Sequence, residues 1–222
     1  MGKLIVIEGL DGSGKTTQYE LLAERLQENG YDFRKVSFPN YESDSSALVK
    51  MYLGGEFGSK PSDVNCYAAS LFYAVDRFAS FKADWGEYYC QGGNILAARY
   101  ATSNAVHQLP KLDESEWDEF LEWLAATEYE KMGIPAPDLC IMLDVPADVS
   151  AKMMTQRYEG NEDKKDIHER DKQYQDRCRK AAKWAADKWS WKIIDCTKNG
   201  EMLSKEEISD KIFAAVRDVF SK

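Results

Sequence analysis

The chain has 222 residues, 44% of them hydrophobic, and a formal net charge of −9. That length makes one domain of ordinary size the expectation, and an acidic chain with no block of basic residues argues against a nucleic-acid partner. There is no signal-peptide layout, no apolar run of membrane-spanning length, and five cysteines (Cys66, Cys90, Cys140, Cys178, Cys196) without a close pair or metal-ligand spacing, so a cytoplasmic protein with reduced thiols and no membrane partner is expected.

In chain order, strands alternate with helices. "KLIVIE" (3–8) reads as a buried strand. Residues 15–29 read as an amphipathic helix, with Leu21, Leu22, Arg25 and Leu26 in helical rows and Gly30 as its C-terminal stop. "YDFRKVSF" (31–38) is a second strand, closed by Pro39. Residues 62–83 are mostly helical, and "NILAA" (94–98) is a third strand. Residues 115–132 form a helix with Trp117, Phe120, Leu121 and Leu124 on one face, ended by Gly133. "DLCIMLDV" (138–145) is a fourth strand, residues 172–188 a helix, and "WKIIDC" (191–196) a fifth strand. Ser204 and Glu207 form a capping box for the last helix, whose Ile208, Ile212 and Val216 face inward. Strands separated by helices pair in parallel, because parallel neighbours need a crossover. The expected fold is a three-layer α/β/α domain with a five-stranded parallel sheet, and its ligands belong at the carboxyl ends of the strands, after residues 8, 38, 98, 145 and 196.

The stretch "EGLDGSGKTT" (8–17) stands at the first of these ends. Gly9, Gly14, Lys15 and Thr16 fit G-x-x-x-x-G-K-[ST] between a strand and a helix, the context in which that pattern forms a phosphate-binding loop. The glycines let the backbone of Gly9 to Thr17, with Asp11, Gly12 and Ser13 between, curl so that several N–H groups face one anion. The helix N-terminus adds partial positive charge. Lys15 reaches the β- and γ-phosphates, and the Thr16 hydroxyl suits Mg²⁺. The competing reading is a plain glycine turn with an exposed lysine.

From residue 3 to about residue 196 the chain resembles the thymidylate kinases, a family of P-loop nucleoside monophosphate kinases. The likeness rests on "IEGLDGSGKTT", "FPNY" (38–41), "LFYAVDR" (71–77), "ARYATSNAVHQ" (98–108) and "LDVP" (143–146), taken in order and spacing. It implies transfer of the γ-phosphoryl of ATP to dTMP, with ATP and Mg²⁺ as cofactors, in one kinase domain over 1–222 that carries a mobile lid at about 152–172. It further implies that Asp11 accepts from the acceptor's 3′-hydroxyl, that Tyr73 lies against the base with Phe72 adjoining, and that Arg77 donates to a base carbonyl. Arg99 would grip the acceptor phosphate, with a guanidinium fork that matches two oxygens. Asn104 would read the base edge beside Gln108, and His107 would crowd a ribose 2′-hydroxyl. Five of these residues also have a structural reading: Phe72 and Tyr73 as core, Arg77 paired with Asp76 or another surface acid, Asn104 and His107 as ordinary polar helix residues. The family's homodimers pack through helices beside the nucleobase site, and the apolar faces at 66–78 and 104–109 permit the same here. The loop near Thr197 to Gly200 would hold adenine.

Residues 152–172 are dense in charge of both signs, which suits either a solvated loop or a lid closing cations over the transferring phosphoryl. No arginine lies between Gly9 and Lys15. In the family such loops go with basic lid residues, here Arg157 first, then Lys164, Lys165 and Arg170, with Glu169 at an acidic lid position. One block departs from the family: Ala98 stands where the pattern has Asp. Alanine cannot orient water or help hold Mg²⁺. Two accommodations are open: an ionised acceptor phosphate needs no general base, and Glu8 could organise metal-bound water. The alternatives to a dTMP kinase are a kinase for another pyrimidine monophosphate such as dUMP, or a catalytically weak nucleotide-binding homologue. A regulatory GTPase is disfavoured, as no N-K-x-D pattern occurs.

Overall fold

Five short runs become the strands of one parallel sheet in the computed structural model, which describes residues 1–157 and 172–220, the side chains of 155–157 and 172 apart. β1 (Leu4–Gly9) is buried at all six positions, as a central strand covered on both faces must be. It pairs with β3 (Asn94–Ala98) on one side and β4 (Leu139–Asp144) on the other. β2 (Phe33–Ser37) and β5 (Lys192–Asp195) are the edges, giving the order β2-β3-β1-β4-β5. The expected five-stranded parallel architecture is therefore the observed one, and its carboxyl edge gathers Gly9, Ser37, Ala98, Asp144 and Asp195.

The period of two along β1 divides the core. Ile5 and Ile7 pack with Leu22 and Leu26 of α1 (Lys15–Glu28) and with Ile208, Ile212 and Val216 of α9 (Lys205–Val216). Leu4 and Val6 pack on the other layer, built from α5 (Thr102–Gln108), α6 (Trp117–Ala125) and α8 (Lys172–Lys188). Each such fully buried Ile or Leu contributes about 1.5–3 kcal/mol by leaving water. The capping box of α9 forms as expected: Ser204 Oγ accepts from Glu207 N–H at 3.1 Å, and Glu207 Oε2 accepts from Ser204 N–H at 2.9 Å.

Several elements differ from the sequence reading. The helix expected from residue 62 starts later, because Pro61–Asp63 forms a 3₁₀ turn and Asn65 caps α3 (Cys66–Ser80) by accepting from Ala68 N–H at 2.8 Å. It then runs through a π turn (Phe81–Trp85) into α4 (Gly86–Cys90). The helix expected over 115–132 likewise passes from α6 into a π turn at Ala126–Lys131. Three elements were not anticipated: α2 (Ala47–Leu53), α7 (Ala147–Arg157), and a hairpin of β6 (Thr197–Lys198) and β7 (Glu201–Met202). The hairpin turns at Asn199 (φ 56°) and Gly200 (φ 80°), where asparagine and glycine best tolerate a left-handed backbone. All five cysteines are free thiols.

Candidate active site

The loop after β1 curls because its glycines allow it. Gly14, at φ 79°, caps α1, and Gln18 N–H bonds its carbonyl at 3.0 Å. Gly12 has φ 75°, and a Cβ there would fall 2.5 Å from the Ser150 carbonyl oxygen, so α7 lies directly against the loop. Lys15 Nζ turns back to donate to the Gly9 carbonyl at 3.1 Å. Thr16 and Thr17 are exposed in the first turn of α1, whose N-terminus adds partial positive charge. Ser13 is buried, and its Oγ has no partner among the described residues. A loop with such an orphaned hydroxyl, a lysine folded over it and a helix dipole behind it has the donor set that suits a polyphosphate.

Arg99 is the residue that joins this loop to α5. It follows β3 directly, with φ 61°, and its N–H donates to the Ile7 carbonyl at 3.1 Å. Its Nη2 donates to Asp11 Oδ1 at 2.6 Å, and its Nη1 lies 2.9 Å from His107 Nε2. A guanidinium can only donate, so Nε2 accepts and the ring proton sits on Nδ1, 3.9 Å from Cys178 Sγ. Burial works against the Arg99 cation, but the carboxylates of Asp11 and Glu8 outweigh it and raise its pKa above the ordinary arginine value. Asp11, Arg99 and His107 thus meet in one place at the carboxyl edge of the sheet.

The other expected substrate residues lie along α3 and α5. Phe72 and Tyr73 are half-buried and lean on Tyr52, with ring centroids 6.3 and 6.4 Å away. Arg77 is fully buried and does not pair with Asp76. Its Nε and Nη2 make a bidentate pair with Glu128, at 2.7 and 2.6 Å. Asn104 Nδ2 donates to the same carboxylate at 3.1 Å and to the Ser70 carbonyl at 3.2 Å. Nothing local in the sequence marks Glu128, a partner 51 residues away that lies in the π turn after α6; the hint available is that a buried arginine must find a carboxylate. Asp76 instead accepts from Asn40 N–H (2.8 Å) and Ser45 Oγ–H (2.6 Å), which ties the segment after β2 to α3. Gln108 is buried, with its Oε1 unpartnered among the described residues. Ala98 is the last residue of β3, opposite Ile7 and Ser37, and brings only a methyl group. The Arg157 side chain and Lys164, Lys165, Glu169 and Arg170 lie outside the described residues.

Sheet order, glycine loop and following helix together define a P-loop α/β protein. The thymidylate kinase family model matches residues 7–208. The chain belongs to the thymidylate kinase family. Among its relatives, the thymidylate kinase of Mycobacterium tuberculosis (strain ATCC 25618 / H37Rv) is 30% identical over 197 residues, covering 86% of this chain and 90% of that protein. The thymidylate kinase of Danio rerio is 26% identical over 223 residues, covering 98% and 94%. Among solved structures, thymidylate kinase from Candida albicans superposes with a TM-score of 0.72 over 98% of this chain and 92% of that one; at 21% identity this likeness speaks for the fold.

Proposed function

We propose that this chain is an ATP-dependent kinase that phosphorylates dTMP to dTDP as a single-domain, cytoplasmic homodimer. The observation that carries the reading is the meeting of the Gly9–Thr16 loop with Asp11 and Arg99 at one strand edge. In the reaction an oxygen of the dTMP phosphate bonds to the γ-phosphorus of ATP. The bond from that phosphorus to the bridging oxygen breaks, and its electron pair leaves with ADP. Little covalent chemistry falls to the protein, so positioning and charge carry the rate.

In this reading the loop N–H groups and Lys15 hold the donor phosphates. Thr16 would hold Mg²⁺, which when bound neutralises charge on the β- and γ-oxygens. Arg99 holds the acceptor phosphate and Asp11 the sugar hydroxyl. Tyr73 and Phe72 flank the base, the Arg77–Asn104–Glu128 group lies at its edge with Gln108, and His107 stands beside the ribose. Arg157 is the leading lid cation, and the hairpin at Thr197–Gly200 borders the adenine. The free cysteines support a reducing compartment. Exposed Tyr67, Leu71, Val75 and Phe78 along α3 support the homodimer.

The relatives favour dTMP over the alternatives of dUMP phosphorylation and weak catalysis. The test is ADP production from Mg-ATP with dTMP, dUMP, dCMP, dGMP and UMP, for this chain and for Ala98→Asp. The expected result is dTMP-selective turnover by the chain itself, faster in Ala98→Asp because a carboxylate at the β3 tip adds an acceptor near the metal. No turnover by either protein with any acceptor would overturn the reading.

A further inference from the structure

Glu8 takes no part in the scheme above, yet it is a charged side chain with 0% exposure at the end of the central strand. Strand alternation sends it the same way as Leu4 and Val6, toward α5 and away from α1. That direction removes it from Thr16, so a role in organising metal-bound water finds no support. Instead its Oε1 accepts from Tyr100 N–H at 3.2 Å, from Thr102 Oγ1–H at 2.6 Å and from Ser103 Oγ–H at 2.6 Å. Its Oε2 is buried and has no partner among the described residues.

Three donors from four consecutive residues thus converge on one oxygen, and they belong to the turn that begins at Arg99. Arg99 has φ 61°, a conformation that a long L side chain keeps only where its surroundings hold it. The surroundings here are β1 on both flanks: the Ile7 carbonyl takes Arg99 N–H, and the Glu8 carboxylate takes the N–H of the next residue. The guanidinium leaves this fixed backbone to reach Asp11 and His107. Ala98, on the other side of Arg99, has no polar side-chain atom with which to help. A buried carboxylate with no cation in direct salt-bridge contact among the described residues is unfavourable in itself, and two things offset that cost: its attraction for the nearby Arg99 cation and the hydrogen bonds by which it fixes the turn.

We propose that Glu8 is a positioning residue: its carboxylate clamps the Tyr100–Ser103 turn, holds Arg99 in its left-handed conformation and so aims the guanidinium at the acceptor phosphate. The assignment of that phosphate rests on the proposed kinase function; the clamp on Arg99 does not.

The variants are Glu8→Gln, which keeps the shape but removes the charge, and Thr102→Val, which removes one donor, with Thr102→Ser restoring the hydroxyl. The first readout is the Arg99 Nε–Hε resonance in ¹⁵N-labelled protein, which needs no activity. It should shift in Glu8→Gln and Thr102→Val and return in Thr102→Ser. The second is steady-state kinetics: KM for dTMP should rise at least about tenfold in Glu8→Gln and Thr102→Val while KM for ATP stays unchanged, because only the acceptor is misplaced. A general loss of structure would move both KM values and the melting temperature together. An Arg99 resonance that stays in place in both Glu8→Gln and Thr102→Val would overturn the proposal. A resonance that moves in a protein unable to use dTMP would uphold the clamp and overturn the kinase assignment instead.

Discussion

Gly12 shows how one residue constrains the chemistry of the whole loop. Its φ of 75° strains any side chain, by about 1–3 kcal/mol. Space decides as well, because a Cβ would stand 2.5 Å from the Ser150 carbonyl oxygen and 3.0 Å from Met154 Cγ. Backbone cannot swing aside as the end of a side chain can, so α7 itself would have to move. The loop therefore has no room at this position for an arginine of its own, and under the proposed function the cations that meet the transferring phosphoryl would come from Lys15, Arg99 and the basic residues from Arg157, at the end of α7, onward. Gly12→Arg is expected to lower kcat with Mg-ATP and dTMP by about a hundredfold or more, as misplacements of about 1 Å at a reacting centre do, and to lower the melting temperature. Full turnover in Gly12→Arg would mean that α7 yields easily and that the loop could carry its own arginine.

At the scale of elements, the contact between β4 and α8 is governed by one carboxylate. Asp144 ends β4 and is only 10% exposed. Arg179 grips it through two hydrogen bonds (2.7 and 3.0 Å), and Lys183, one turn further along α8, adds an ion pair at 2.8 Å. Burial alone would raise its pKa, but the hydrogen bonds and charges of Arg179 and Lys183 outweigh burial and hold it below the ordinary carboxylate range. A carboxyl with a depressed folded-state pKa stabilises fully above its unfolded value, about 3.9, and loses that contribution as pH falls through the folded value. Asp144→Asn should therefore cost about 1–3 kcal/mol in urea unfolding at pH 7, the lower end reflecting the partial exposure of both cations, and the difference from the unchanged protein should shrink below about pH 4. A difference independent of pH would assign the effect to packing. None of this contact is readable from the sequence, where Asp144 belongs to the fourth-strand run "DLCIMLDV" and to "LDVP" and nothing points to Arg179 or Lys183. What was readable has a local cause. β3 is bounded by its own apolar run, the α9 cap is set by Ser204 and Glu207 three residues apart, and the phosphate loop is set by glycines and a lysine within eight residues. What escaped depends on residues distant in the chain or on direction: the Arg77–Glu128 pair, the side of the sheet to which Glu8 points, and the π turns that lengthen α3 and α6. Asn65 is the exception, a local cap of ordinary type that places the start of α3 four residues later than the apolar pattern alone suggests.

For the molecule as a whole, α3 faces two ways. Its inner side buries Cys66, Ala69, Ser70, Ala74, Asp76 and Arg77 against the site. Its outer side exposes Tyr67, Leu71, Val75 and Phe78, spaced four, four and three residues apart, so they form one continuous stripe. The stripe extends past the helix, since the Tyr67 ring meets the half-buried Trp123 of α6 edge-on at 4.7 Å. Isolated apolar residues on a surface need no explanation, whereas four in one stripe are the kind of feature that the proposed homodimer would cover. Two copies related by a twofold axis can cover it by packing α3 against its own symmetry mate, which needs no other partner and closes without further growth. Sedimentation equilibrium should accordingly report about twice the 25.3 kDa chain mass. The double change Leu71→Glu and Val75→Glu should return one chain mass, since like charges would then face each other across the axis in a desolvated contact. Because Tyr73 and Arg77 stand on the same helix, the monomer should also bind dTMP more weakly while its KM for ATP holds, as the phosphate loop lies on another element. An unchanged protein that sediments as a monomer at assay concentration, with full dTMP affinity, would show that the stripe serves a different partner and that α3 needs no second copy to shape the site.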